Sequence, residues 1–204
     1  MKIVVFGAAG RTGRLIVERA LGHGHEVTAF VHNTALEAVD ENLTILKGDV
    51  RDADAVRAAV LGHRAVAFAL SQGSGAGPDI HEAGIANVIY AMAENMVTRL
   101  AAVSAAGAFA RKDKNLSRVY RTLISTTLRT AYDDLEAMEL RIMASDLDWT
   151  IVRPVGLTDN TRAATIVCRW MARFCPRARA SRVRTLRRWW SRRWKPIRTG
   201  AERS

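Results

Sequence analysis

Gly7, Gly10 and Gly13 stand three residues apart in the run Gly7-Ala8-Ala9-Gly10-Arg11-Thr12-Gly13. Between a buried strand and a helix, such glycines have three separate uses. One makes a tight turn, one lets the backbone approach a pyrophosphate, and one lets helix and strand pack closely. The helix then offers phosphate its first N–H groups and the positive end of its dipole. A glycine trio alone is also compatible with an ordinary turn, so its place in the chain decides. Here the apolar run KIVVF precedes it and RLIVERALG follows. The spacing therefore predicts a dinucleotide cradle made by Gly7, Ala9, Gly10, Arg11, Thr12 and Gly13.

The end of the second apolar strand selects the dinucleotide. An acid there accepts the ribose 2′-OH of NAD, whereas a cation suits the 2′-phosphate of NADP. The residues are Phe30-Val31-His32-Asn33, with no acid among them, and Arg11 lies within reach in the glycine loop. NADP is expected over NAD, with Arg11 and His32 on the phosphate. The competing role for His32 is a solvated loop residue. No run of His, Cys, Asp or Glu has metal-ligand spacing, so no metal is expected.

These residues need strands to place them. Lys2–Phe6, 25–31 (HEVTAFV), 43–46 (LTIL), 65–70 (AVAFAL), 97–103 and 149–152 (WTIV) read as six strands. Helical spacing starts after the glycine loop and is stopped by Gly22 and Gly24. It returns after a capping Asp52 through Val60, over 79–94, and over roughly 116–144. Strands alternating with helices specify an α/β fold, a Rossmann-type doubly wound parallel sheet with right-handed crossovers. Ligands of such sheets lie at the carboxyl ends of strands.

Charge divides the chain of 204 residues. The net +11 is the sum of +12 in residues 163–204, where twelve arginines and Lys195 face one acid, Glu202, and −1 in residues 1–162. The same stretch holds both cysteines, Cys168 and Cys175, and four of the five tryptophans. Residues 1–162 are accordingly expected to be the nucleotide-binding domain and 163–204 a separate, poorly packed tail. Two cysteines exclude a disulfide framework, no apolar run nears the ~20 residues of a bilayer span, and the opening residues do not form a signal peptide. A cytoplasmic protein with a small-molecule substrate is expected, with no specific nucleic acid and no membrane as partner.

GAAGRTG (7–13), GDVRD (48–52), AVAFALSQG (65–73), HEAGIANVIYAM (81–92), RLAAVSA (99–105) and SDLDWTIVRP (145–154) follow one another in this order. In these segments the chain resembles the NAD(P)-binding atypical short-chain dehydrogenases/reductases, the group of NmrA-like proteins and flavin-reducing biliverdin reductase B. The resemblance implies that Asp49 and Val50 border the adenine, with the carboxylate accepting from its amino group. Leu70 and Ser71 would line the crevice beside ribose and pyrophosphate. Ser104 would stand by the nicotinamide and substrate as the candidate catalytic residue, against a plain role satisfying loop backbone. Pro154 and Val155 would wall the nicotinamide pocket.

One feature of short-chain dehydrogenases is missing. Their Tyr-x-x-x-Lys proton-donating pair has no counterpart, since Glu136 follows Tyr132 and Ile124 follows Tyr120 at that spacing. Hydride transfer to a flavin-like or quinone-like acceptor, which draws its proton from water, is expected in place of alcohol–ketone chemistry. The alternative is an NmrA-like NADP(H)-binding redox sensor without turnover. His63 and His81 read as plain loop or helix residues.

The tail departs from the family, whose members continue with a strand, a loop of the type Ile-Ser-Arg-x-Asp-Leu-Ala and a closing helix. Let each codon take the last base of one codon and the first two of the next, with mostly G or C third bases. The residues from Val167 then become Arg-Val-Pro-Val-Asp-Gly-Pro-Val-Leu-Pro-Pro-Arg-Ala-Arg-Ile-Ser-Arg-Ala-Asp-Leu-Ala-Ala-Val-Val. A frameshift is therefore expected, with the last strand and helix of the fold missing or replaced. The rival reading is an Arg/Trp surface for nucleic acid or an anionic membrane.

Overall fold

The apolar run at the start forms β1 (Lys2–Phe6), whose Val4, Val5 and Phe6 are wholly buried. A computed structural model describes residues 1–34, 36, 38–71, 77–106, 108 and 128–154. After β1 come α1 (Arg11–Gly22), β2 (Glu26–Val31), β3 (Leu43–Lys47), α2 (Ala53–Val60), β4 (Ala65–Phe68), α3 (Ile80–Glu94), β5 (Arg99–Val103), α4 (Arg129–Ala144) and β6 (Asp148–Val152). The sheet order is β3-β2-β1-β4-β5-β6, and every pairing is parallel. This is the Rossmann-type α/β sheet expected from the alternation of strands and helices. Strand order reverses between β1 and β4, which opens a crevice at their carboxyl ends.

Alternation along the central strands feeds two cores. Val4, Phe6, Phe30, Val66, Phe68 and Leu100 point to the face covered by α2, α3 and α4. Val5, Val27, Ala29, Val31 and Ala67 point to the other face, with Val17 of α1. Burial on both faces explains why these strands read as continuous apolar runs. Phe30, Phe6 and Phe68 pair across neighbouring strands in one register row. Their ring centroids lie 5.0 and 6.4 Å apart, tilted, so an aromatic layer underlies the crevice.

Three boundaries among the described residues differ from the sequence reading by two residues or more. β4 ends at Phe68, not residue 70, because its partner β1 ends at Phe6 and turns away at Gly7; Ala69 N–H makes the last bond, 3.0 Å to the Phe6 carbonyl. β5 starts at Arg99, not 97, because α3 closes in a left-handed turn at Met96 (φ +54°). There Met96 N–H reaches Ala93 O and Val97 N–H reaches Met92 O, the paired bonds of a Schellman motif. α1 takes in Arg11–Gly13, which the sequence assigned to the loop. The expected helix over 116–144 is observed as α4 from Arg129; residues 116–127 and the tail lie outside the described residues.

Candidate functional site

Gly7 has φ +77°, and a Cβ there would lie 2.5 Å from the Ala69 carbonyl oxygen. A Cβ at Gly13 would lie 2.1 Å from the Gly7 oxygen. These two glycines therefore make the turn and seat α1 against it. Gly10 is different, since its Cβ would meet Gly7 O at 3.2 Å and, across the crevice, Ser71 Oγ at 3.6 Å. Gly10 is also the N-cap of α1, with no side-chain cap and no acid in the first turn. The positive helix end thus faces the crevice with nothing anionic of its own beside it. Ala9 and Thr12 are half-buried there and Arg11 is exposed. Arg14 Nε donates to the Ala9 carbonyl at 3.0 Å and steadies the loop.

At the ends of β2 and β3 the structure brings His32 and Asp49 together, 3.8 Å between Nε2 and Oδ2. Gly48 N–H donates to Val31 O at 2.9 Å, so the segment after β3 stays beside the end of β2. The acid that is missing after β2 in sequence is therefore present in space. Arg51 engages it: its Nε donates to Oδ1 at 3.1 Å, its Nη2 to Oδ2 at 2.8 Å and its backbone N–H to Oδ1 at 2.9 Å. These side-chain and backbone bonds hold the Asp49 carboxyl down at about 2, against a smaller opposing effect of burial. Val50 is buried against α3 at Gly84, and its carbonyl accepts from Asn87 Nδ2 at 3.0 Å.

The other arm of the crevice is built by β4, β5 and β6. Ser104 follows β5 and its N–H donates to Val152 O at 2.9 Å. Ala106 N–H donates to Pro154 O at 3.0 Å, which ties the segments after β5 and β6 and brings Ser104 and Pro154 together. Ser104 is 7% exposed, and its Oγ is buried without a hydrogen-bond partner among the described residues. Val155 lies outside the described residues. Leu70 is half-buried and Ser71 exposed at the end of β4.

Two side-chain pairs, each with a buried carboxylate, escaped the sequence reading. His81 is 4% exposed, and its Nδ1 donates to Asp134 Oδ2 at 2.7 Å. Asp134 also accepts the backbone N–H groups of His81 and Glu82 at 3.0 and 2.8 Å, capping α3 from α4. The second ring nitrogen of His81 lies 3.3 Å from Leu70 O, so the pair abuts the crevice wall. Glu139, wholly buried, accepts the Arg153 guanidinium, with Nε 2.9 Å from both oxygens. That pair fixes the end of β6 one residue before Pro154. Partners 53 and 14 residues apart leave no local sequence signal.

An open glycine cradle at one arm and an unsatisfied buried hydroxyl at the other fit a dinucleotide laid across the strand ends. Comparisons agree. A family model described as NAD(P)H-binding matches residues 7–172. An uncharacterized chloroplastic protein of Arabidopsis thaliana is 30% identical over 179 residues, covering 81% of this chain and 62% of its own length. The uncharacterized protein YwnB of Bacillus subtilis is 30% identical over 162 residues, covering 78% of this chain and 74% of its own. A short-chain dehydrogenase/reductase of Veillonella parvula, solved with NADP, superposes with a TM-score of 0.62 at 18% identity, over 74% of this chain and 68% of that one. No described helix is long and apolar enough to cross a membrane. The chain thus belongs to the NAD(P)H-binding family and carries the Rossmann fold of short-chain dehydrogenases/reductases.

Proposed function

We propose that this chain is an NADPH-dependent reductase of a small planar acceptor, flavin-like or quinone-like, in the cytoplasm. The observation that carries the reading is Ser104, a buried hydroxyl without a partner among the described residues at the end of β5, with Pro154 beside it and the glycine loop across the switch point. An unbonded buried hydroxyl costs roughly 1–3 kcal/mol, a cost that a bound ligand removes. When bound, the dinucleotide would supply the hydride, two electrons with one hydrogen nucleus, and become oxidised. The acceptor takes its proton from water, since Tyr132 has Glu136 where a lysine partner would stand.

The protein's own work is binding and alignment. Gly7 and Gly13 shape the turn, Gly10 admits the pyrophosphate, and the first N–H groups of α1 hold it. Arg11 supplies permanent charge for the 2′-phosphate, with His32 at the neighbouring strand end. The NADP seen in the Veillonella parvula structure supports a dinucleotide of this kind here. Val155 would close the nicotinamide pocket beyond Pro154, and no nucleic acid takes part.

The test is NADPH oxidation followed at 340 nm on the full chain, with FMN and with menadione as acceptors. Turnover of either supports the reductase. The Glu136 substitution favours one alternative, a redox sensor that binds NADP(H) and does not turn it over. Saturable NADPH binding without oxidation by either acceptor would decide for that sensor.

A further inference from the structure

An acid beside the adenosine ribose ordinarily selects NAD, because a carboxylate accepts the 2′-OH and repels a 2′-phosphate. Asp49, implied to border the adenine, also brings an acid within reach of that position, since Gly48 N–H bonds Val31 O and the carboxylate stands 3.8 Å from His32 Nε2. Yet its charge is not bare. Arg51 spans both carboxylate oxygens with Nε and Nη2, and its own backbone N–H adds a third bond. Resting on the NADPH reading above, we infer that Arg51 is a specificity-determining residue: it neutralises Asp49 and so admits the 2′-phosphate at a site an exposed Asp49 would reserve for NADH.

The geometry favours neutralisation over direct contact. Three of the four acceptor directions of the carboxylate point at Arg51, and the side chains are 31% and 43% exposed, at the mouth of the site and not in the core. The remaining nitrogen of the guanidinium, Nη1, faces the segment before α3, where a Cβ at Gly77 would lie 3.3 Å from it. Asp79 is the other acid facing Arg51, and His32 the other base facing Asp49. A two-nitrogen fork across a carboxylate is a geometry lysine cannot reproduce. Removing the guanidinium therefore frees a full negative charge beside the end of β2.

The experiment measures NADPH and NADH dissociation constants of the full chain by nicotinamide fluorescence at fixed low salt, for the parent, Arg51→Ala, Arg51→Gln and Asp49→Asn/Arg51→Ala. Both single variants are expected to lower the NADPH:NADH affinity ratio by at least fivefold. The double variant, with the acid also gone, is expected to return to within threefold of the parent. A ratio that falls less than fivefold in the single variants overturns the inference while the NADPH reading stands. A double variant that stays low overturns it too, because Arg51 then grips the phosphate itself. A parent that prefers NADH removes the NADPH reading and this inference together.

Discussion

Ser104 concentrates the account at the residue scale. The resemblance implies a place near the nicotinamide, and among the described residues its hydroxyl is held out of water with its hydrogen-bonding capacity unused. Ser104→Ala removes an unsatisfied polar atom, so the ligand-free chain is expected to gain up to ~1 kcal/mol of stability. NADPH affinity or turnover should fall by as much as about tenfold, the worth of one hydrogen bond. Urea unfolding and a fluorescence titration on the same protein check both signs. Loss of stability without cofactor would mean that the hydroxyl is already bonded inside the protein. Asp49 teaches the reverse lesson. GDVRD was legible as a motif, but its carboxylate meets His32 only through the pairing of β2 and β3, which a scan of residues after β2 cannot register.

At the scale of elements, β1, β2 and β4 were legible because each lies between packed faces and reads as an apolar run, whereas β3 and β6, at the edges of the described sheet, bury no residue. Their ends were less so, since they are set by where a neighbour stops. β4 loses two residues to the turn at Gly7, and β5 loses two to the cap of α3. That cap makes a prediction. Met96 sits at φ +54° where helices usually place glycine, and its side chain is 89% exposed, so it packs against little. Left-handed backbone costs a non-glycine residue roughly 1–2 kcal/mol, part of which glycine gives back in unfolded-state entropy. Met96→Gly should therefore raise stability by about 0.5–1 kcal/mol, read as a higher urea midpoint with unchanged slope. A lower midpoint would mean that the Met96 side chain makes a contact worth more than the strain. The His81–Asp134 and Glu139–Arg153 pairs belong to this scale too, because they tie α3, α4 and β6 to the crevice and exist only once those elements dock.

At the scale of the whole molecule, the sheet ends at β6 among the described residues, with Val152 half-exposed on that edge strand. Beyond it the coding sequence changes character. We propose that residues from about 163 are read out of frame, on the strength of the charge break, the crowding of Cys and Trp, and the family string recovered by a one-base shift. An apolar strand and helix that bury about 300 Å2 contribute ~7 kcal/mol. That is comparable with the entire ~5–15 kcal/mol by which a domain is stable. Restoring the frame near the Arg162 codon should therefore raise soluble yield and NADPH oxidation together. The contrary result is genomic DNA without an indel, together with amides beyond residue 165 that resist hydrogen exchange in the protein as written.

All three scales meet in one claim, that the glycine turn between β1 and α1 holds the pyrophosphate of a nicotinamide dinucleotide. Gly10 tests it most directly, because a Cβ there points across the crevice toward Ser71 and comes only to 3.2 Å from the Gly7 carbonyl oxygen, against 2.5 Å and 2.1 Å for the backbone contacts of one at Gly7 or Gly13. Gly10→Val should therefore leave the fold intact and fill the space the phosphates need. The measurement is a fluorescence titration of NADPH into parent and Gly10→Val chains whose circular dichroism matches. The account predicts saturable binding to the parent and none to the variant. A folded Gly10→Val chain that keeps the parent's NADPH affinity would contradict it.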